Sequence, residues 1–411
     1  MSALPLSDVK VLDLTRLLPG GFCSLLLADL GAEVLKVEDT GMGDYIRWAP
    51  PYYGSDEQQA LGTRSSLYLS LNRGKRSVRL DLKNEQGREA LLRLIRDYDV
   101  VLDGFRPGVL DRLGVGYEQM REANPAIVYC AITGYGQDGP YTQRAGHDMN
   151  YLGLVGLLGL TGAKDGPPVQ SAGQIADLGG GGLMAAFGVL AALRERERSG
   201  EGQMVDVSMA DGALSWLAMV AGRYFCDEEV PRRGEQQLAG GLVCYMPYEA
   251  ADGWVTCGAL EPKFWAAFCN GVDRPDLVEK QFEAPGSEAW AEVAAVFRSR
   301  SRDDWKAFND EHDCCIEPVL DLDEALDSEL VRAREMVTEI EQPELGTVRQ
   351  LGHPVKLSRT PADPTRPAPA FGEHTDEVLA EVGYSEAEIA AMKESGAAAG
   401  PAAEAQGEFR A

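Results

Sequence analysis

Short apolar runs alternate with stretches of helical spacing through the first half of the chain. Val9 to Leu14 (VKVLDL) predicts a strand and, after a Pro-Gly-Gly turn, Phe22 to Leu30 predicts a helix. Glu33 to Glu38 (EVLKVE) predicts the next strand. Ser77 to Leu82 alternates apolar Val78, Leu80 and Leu82 with polar Arg79 and Asp81, the pattern of a half-buried strand. Asn84 can cap the helix that follows, in which Ala90, Leu91, Leu94 and Ile95 share one face. Asp99 to Leu102 predicts a strand, Val109 to Leu113 a short helix, and Ala126 to Ile132 (AIVYCAI) a buried strand. A long helix ends near Arg198, Met204 to Met209 predicts a strand, and Asp211 is placed to cap another helix. Strands and helices in this alternation predict an α/β fold with a doubly wound parallel sheet. The first turn offers only Gly20 and Gly21 instead of the full glycine fingerprint, which argues against nicotinamide binding.

The pattern changes past residue 225. Cys244 to Tyr248, an Asp252-Gly253 turn and Trp254 to Cys257 predict a hairpin. Glu261-Pro262 opens a helix, and a second helix covers roughly Asp303 to Asp310. The predicted organisation is a large domain over 1–224, a small domain over 225–325, and a return to the large domain over 326–394. The small, polar residues from Ser395 to Ala411 are expected to form a disordered tail.

Charge narrows the partners. The 411 residues hold 65 acidic and 39 basic side chains, a net charge of −26, which argues against nucleic acid or an anionic membrane as a general partner. The eight cysteines include no CxxC pair, as expected of free thiols in a reducing cytosol. The N-terminal MSALPLSDVKVLDL has no basic region followed by a long apolar one, so no signal peptide is expected. No run approaches the ~18 apolar residues of a membrane span. The expected location is cytoplasmic.

Candidate chemistry is confined by four histidines. His312, His353 and His374 fit structural roles, with His374 at a helix start. No His, Cys or carboxylate set has metal-ligand spacing, so no metal is expected. His147 follows a turn-rich loop and precedes an apolar helical run. Asp177 repeats the arrangement, standing before a four-glycine run that opens an apolar helix. As a plain N-cap Asp177 would need nothing further, but helical glycines cost about 0.5 to 1 kcal/mol each, so a ligand or another backbone must approach closely. In NRGKRSVR, Arg73, Lys75, Arg76 and Arg79 cluster, and Arg106 and Arg112 flank a turn in GFRPGVLDR; such clusters suit phosphate groups or a solvated face.

LDGFRPGVLDRLGVGYEQMREANPAIVYCAITGYGQDGPY closely resembles the signature block of the class III CoA-transferase family (CaiB/BaiF type), and PLSDVKVLDLTRLLPGGFCSLLLADLGAEVLKVE and GEHTDEVLAEVGYSEAEI are similar to its two ends. AGHDMNYLGL and VTCGALEPKFW resemble its α-methylacyl-CoA racemase branch; transferase members generally lack a histidine at the position of His147. The resemblance implies a Rossmann-like large domain, a smaller α+β domain and an interlocked homodimer. It implies acid/base roles for His147 and Asp177, with Glu261 as the carboxylate partner of the histidine. Arg112, Asp148 and Tyr151 match positions lining the CoA or acyl site, and Arg106, Gly146 and Asn150 fall in the same matching blocks. Asp39 stands where some racemases carry an arginine near the CoA phosphates, and Lys36, Lys75 and Arg76 are the expected substitutes. The implied reaction is racemisation beside a thioester, with CoA as part of the substrate and no cofactor; transfer of CoA with Asp177 as covalent nucleophile is the alternative. Both candidate acid/base groups lie at helix starts, whose N–H groups are ready donors to an enolate oxygen.

Overall fold

The computed structural model describes residues 4–54 and 64–401. It divides into two compact units: Met1–Leu152 with Gly173–Ser215 and Glu329–Ala411, and Gly153–Ala172 with Trp216–Ser328. The second unit thus starts before residue 225 and takes in a segment that the hydrophobic pattern gave no reason to detach.

In the larger unit β1 (Lys10–Asp13), β2 (Glu33–Glu38), β3 (Lys75–Leu80), β4 (Val100–Asp103), β5 (Val128–Thr133) and β6 (Met204–Ser208) form a parallel sheet in the order β3-β2-β1-β4-β5-β6. This is the Rossmann order, with its reversal between β1 and β4. Leu12, Val101 and Ala131 point to one core, which the Glu85–Ile95 helix covers. Val11, Val100, Val128 and Cys130 point to the other, beneath the helices Leu18–Asp29 and Met184–Ser199. With helices on both faces, the central strands read as continuous apolar runs.

β3 departs from the expected half-buried pattern, since its polar positions are covered as well. Ser77 Oγ donates to Glu38 Oε2 (2.8 Å), and Arg79 Nη1 donates to the Gly400 carbonyl (2.9 Å). The covering chain comes from the C-terminus. His374 Nδ1 accepts from Ser77 N (3.2 Å) and Thr375 Oγ1 from Arg79 N (3.2 Å), so His374 bonds the strand instead of capping its helix. The last strand of the sheet, at Ala398–Ala399, pairs antiparallel with β3, and Ala397 and Ala398 are buried. The expected tail therefore does not begin at Ser395; these residues close the open edge of the sheet. Residues 402–411 lie outside the described residues.

The glycines after Asp177 serve backbone approach. Ile175–Leu183 is a π-helical run that continues into Met184–Ser199. A Cβ on Gly180 would lie 2.7 Å from the Met209 carbonyl oxygen, and one on Gly182 2.7 Å from the Pro19 carbonyl oxygen. Gly212 answers from the Met209–Ser215 helix, where a Cβ would meet the Gly180 carbonyl at 2.2 Å. Asp211 lies inside that helix, and the cap is Ser208, whose Oγ accepts from Asp211 N (3.1 Å). The joined run Ile175–Ser199 is long and apolar enough to cross a membrane by length and composition, contrary to the hydropathy expectation. Ala185, Val189 and Ala192 nevertheless pack it on the sheet.

In the smaller unit β7 (Tyr245–Ala250) and β8 (Gly253–Gly258) form the expected hairpin, joined by β9 (Ile316–Pro318). Its core is aromatic: Phe268 and Phe297 stack at 5.1 Å, and Trp265 and Trp305 donate their indole N–H groups to the carbonyls of Leu277 and Phe297.

Gly212→Ala is expected to lower the unfolding free energy by about 1 to 3 kcal/mol, the usual cost of overpacking a close contact. Chemical denaturation read by circular dichroism measures it, and an unchanged midpoint would show that the two helices have room to part.

Candidate active site

Asp148 organises the site in the larger unit. It opens the Asp148–Leu154 helix and is 3% exposed. Its Oδ1 accepts from the backbone N–H groups of Ala176 (2.6 Å) and Asp177 (3.0 Å). A carboxylate at a helix start is favourably placed against unpaired N–H groups and the helix dipole. Asp177 is therefore capped by another residue, and its own carboxyl is free for chemistry. The same bonds occupy the Ala176 and Asp177 N–H groups, which are therefore not available to an enolate oxygen.

His147 precedes Asp148 and is exposed. Asn150 fixes its backbone from both sides: Oδ1 accepts from His147 N (3.0 Å) and the Asn150 N–H donates to the His147 carbonyl (2.8 Å). Tyr151 anchors the preceding turn, its hydroxyl donating to the Gly146 carbonyl (2.5 Å) and its ring edge-on to Tyr135 at 5.1 Å. A Cβ on Gly146 would come within 2.7 Å of the Tyr151 ring, so only glycine lets this loop lie flat on the tyrosine. Burial pushes the Asp177 carboxyl up to about 6, the neighbouring Asp148 charge adds to the rise, and His147 pulls against it. His147, Asp148 and Asp177 thus share one electrostatic neighbourhood. Arg106 reaches the same place, drawing the Tyr151 hydroxyl down against a rise dominated by burial.

Glu261 lies in the smaller unit at the N-cap position of the Pro262–Gly271 helix, yet its side chain makes no capping bond. The exposed carboxylate is not used up by the helix, and Gln281 Nε2 holds the loop by donating to the carbonyls of Ala259 (3.0 Å) and Leu260 (2.9 Å).

The basic cluster turns inward. Lys36 is fully buried, paired with Asp44 (2.9 Å) and donating to the Thr15 carbonyl (3.0 Å). Lys75 is buried against Asp13 (3.2 Å) and Asn72 (2.9 Å), with burial drawing its pKa down to about 8. Burial opposes the charge on Asp13, but Lys36 and Lys75, with the Ser24 and Thr15 hydroxyls, hold its pKa at about 2. Arg73 pairs with Asp29, and Arg76 with Glu33, Glu377 and Glu381. Lys36, Lys75 and Arg76 are therefore tied within the protein instead of offered to a phosphate. Buried charges must be paired, and an excess of acids supplies the partners.

A residue that the sequence reading missed stands where those cations were expected. Arg16, just past β1, donates to Asp39 Oδ2 (2.7 Å) and to the Tyr45 hydroxyl (3.0 Å), and lies over the rings of Tyr45 and Phe105. With Arg112 and Lys83 it lines a cavity of about 360 Å³ at the carboxyl ends of β1, β2 and β3. Ligands of open parallel sheets bind in such crevices. An arginine directly after the first strand was the available signal. Among the described residues no His, Cys, Asp and Glu group could hold a metal, and all eight cysteines are free thiols.

The chain belongs to CoA-transferase family III, whose profile matches residues 6–375. It is 37% identical over 394 residues to an alpha-methylacyl-CoA racemase of Mus musculus, across 93% of this chain and 95% of the relative. It is also 37% identical over 394 residues to a succinyl-CoA:mesaconate CoA-transferase of Haloarcula hispanica, across 92% of this chain and 96% of the relative. A CAIB/BAIF family protein from Brucella suis shares the fold with a TM-score of 0.79 at 29% identity, over 93% of this chain and 100% of that one. The protein is an enzyme of this family.

Asp148→Asn keeps an oxygen for the two N–H groups and removes the charge. The Asp177 carboxyl is then expected to titrate below 6, measured by carbon NMR of labelled aspartate; an unmoved midpoint would remove Asp148 as a cause of the rise.

Proposed function

We propose that the protein is a racemase that inverts the 2-methyl-bearing α-carbon of 2-methylacyl-CoA thioesters by two-base 1,1-proton transfer through an enolate. The observation that supports this is that Asp148, the residue after His147, accepts from the Asp177 N–H (3.0 Å), with burial lifting the Asp177 carboxyl to about 6. Inversion needs one group to remove the α-proton while the other returns a proton to the opposite face. Two groups of different type can do so in either direction when their affinities for the proton are close, and a carboxyl near 6 lies in the range where imidazoles titrate. Glu261, whose carboxylate makes no capping bond, is the proposed carboxylate partner of the histidine. CoA belongs to the substrate, so no cofactor or metal takes part, and its binding energy positions the reacting carbon. In the crevice above β1 and β2, Arg16 and Arg112 supply the cations for the nucleotide phosphates.

A homodimer is part of the proposal. Leu183, Phe187 and Leu190 lie at helical spacing on one exposed face of the larger unit, Phe187 at 70% exposure, and a second copy of the chain would cover them. Transfer of CoA between carboxylic acids, with Asp177 as nucleophile, is the second reading, favoured by equal identity to the transferase relative.

Incubation with a single enantiomer of a 2-methylacyl-CoA in deuterium oxide, without acceptor acid, is expected to exchange the α-hydrogen and lose optical purity. Absence of exchange, with CoA passing to an added carboxylate, would establish the transferase instead. His147→Ala is expected to abolish exchange while CoA binds nearly as before, and unaltered turnover refutes the assigned role. In the direction that uses Asp177 as base, the rate should fall as pH drops through about 6, because the protonated carboxyl cannot take the proton. Arg16→Ala is expected to weaken CoA binding about tenfold, the loss typical of a charge-assisted phosphate contact; calorimetric titration checks it.

A further inference from the structure

The crevice at the carboxyl ends of β1, β2 and β3 is not the wholly basic pocket that a phosphate-rich ligand would select. Its wall carries Arg16, Lys83 and Arg112, and against them Glu38, Asp39 and Asp81. Two of these acids are engaged elsewhere. Glu38 is buried and bonded to Arg47 and Ser77, and Asp81 Oδ1 accepts from the Lys83 N–H (2.9 Å). Asp39 is the acid that pairs with a cation of the crevice. Its Oδ2 accepts from Arg16 Nη2 (2.7 Å), and its Oδ1 from the N–H groups of Gly41 (2.8 Å) and Gly43 (3.2 Å). These bonds fix the carboxylate just past the end of β2 and still leave its side chain 36% exposed.

Two consequences follow for a ligand. A carboxylate offers roughly four acceptor sites, and the bonds to Gly41, Gly43 and Arg16 leave room on Oδ2 for one more donor, such as a hydroxyl. In sheets of this strand order, an acid past the second strand accepts from a ribose hydroxyl, whereas an arginine there accommodates a phosphate on that ribose. The second consequence is electrostatic. Asp39 offsets the charge of Arg16 at this point, so a phosphate placed there meets a like charge before it meets a free cation. Arg16 spends only part of its donor set on Asp39 and Tyr45, and Lys83 and Arg112 are exposed with no ion pair among the described residues. Phosphates elsewhere on the ligand therefore still find partners.

We propose that Asp39 sets the specificity of the crevice for the ribose of the bound nucleotide: its carboxylate accepts from a free ribose hydroxyl and cancels the gain that a phosphate on that ribose would draw from Arg16. The protein then takes thioesters of dephospho-CoA about as readily as those of CoA, reading the diphosphate that both carry and not the ribose phosphate. The inference rests on reading the crevice as the nucleotide site of an acyl-CoA enzyme, and it names the part of the nucleotide that goes unread.

The test is calorimetric titration of the full-length protein with CoA and with dephospho-CoA, which differ only in the ribose phosphate. Wild type is expected to bind the two with Kd values within about threefold of each other. Asp39→Asn keeps an oxygen for Gly41 and Gly43 and removes the charge. It is expected to favour CoA over dephospho-CoA by about tenfold or more, the scale of one charge-assisted phosphate contact. Retained binding of dephospho-CoA reports that this variant folds. Adding Arg16→Ala to Asp39→Asn is expected to return the ratio to within about threefold, which ties the gain to the released guanidinium instead of the change in net charge. A wild-type preference for CoA above about tenfold overturns the proposal, and so does a ratio that Asp39→Asn does not move. In either case both nucleotides bind, and the acyl-CoA reading stands without this inference. Binding of neither nucleotide overturns the reading, and the inference with it.

Discussion

Two backbone N–H groups at the start of a π-helical run, and the one carboxylate oxygen that receives both, set the geometry on which the candidate site depends. Asp148 Oδ1 joins the segment carrying His147 to the segment carrying Asp177. That bond satisfies donors that would otherwise be buried unpaired, and it brings His147 and Asp177 into one neighbourhood. Because the cap is itself charged, it also contributes to the raised affinity of Asp177 for its proton. Structure and electrostatics are here the same contact.

The glycines extend this constraint into the fold. Gly180 and Gly182 bring the run against the Met209–Ser215 helix and the start of the Leu18–Asp29 helix, at distances where any Cβ would collide. Asp177 is thereby held on a close-packed support instead of a loop. The same close contacts give an apolar helix of membrane length a packed face on the sheet.

Charge follows a similar economy. The residues that look most like a phosphate site, Lys36, Lys75 and Arg76, are held by Asp13, Asp44, Glu33 and by Glu377 and Glu381 of the Thr375–Glu381 helix. Cations in the interior stabilise only with partners, and those partners remove them from use by a ligand. Arg16 remains at the crevice, held by an ion pair to the partly exposed Asp39 and by two aromatic rings, so a phosphate can compete for it.

The sequence by itself determined the alternation of strands and helices, the parallel sheet and the hairpin of the smaller unit, because periodicity and residue type are local properties; residue type singled out His147 and Asp177 as candidates, and only the family resemblance added Glu261. Helix ends were off by a few residues where side chains from elsewhere did the capping, as Ser208 does in place of Asp211. Tertiary structure alone decided that β3 is covered on its polar side, that the C-terminal residues form an edge strand, and that the four-glycine run answers a backbone. It also separated the buried lysines from Arg16 and freed the carboxyls of Asp177 and Glu261 from capping. Each of these turns on a partner remote in the chain, and the identity of a side chain does not reveal which distant group will pair with it.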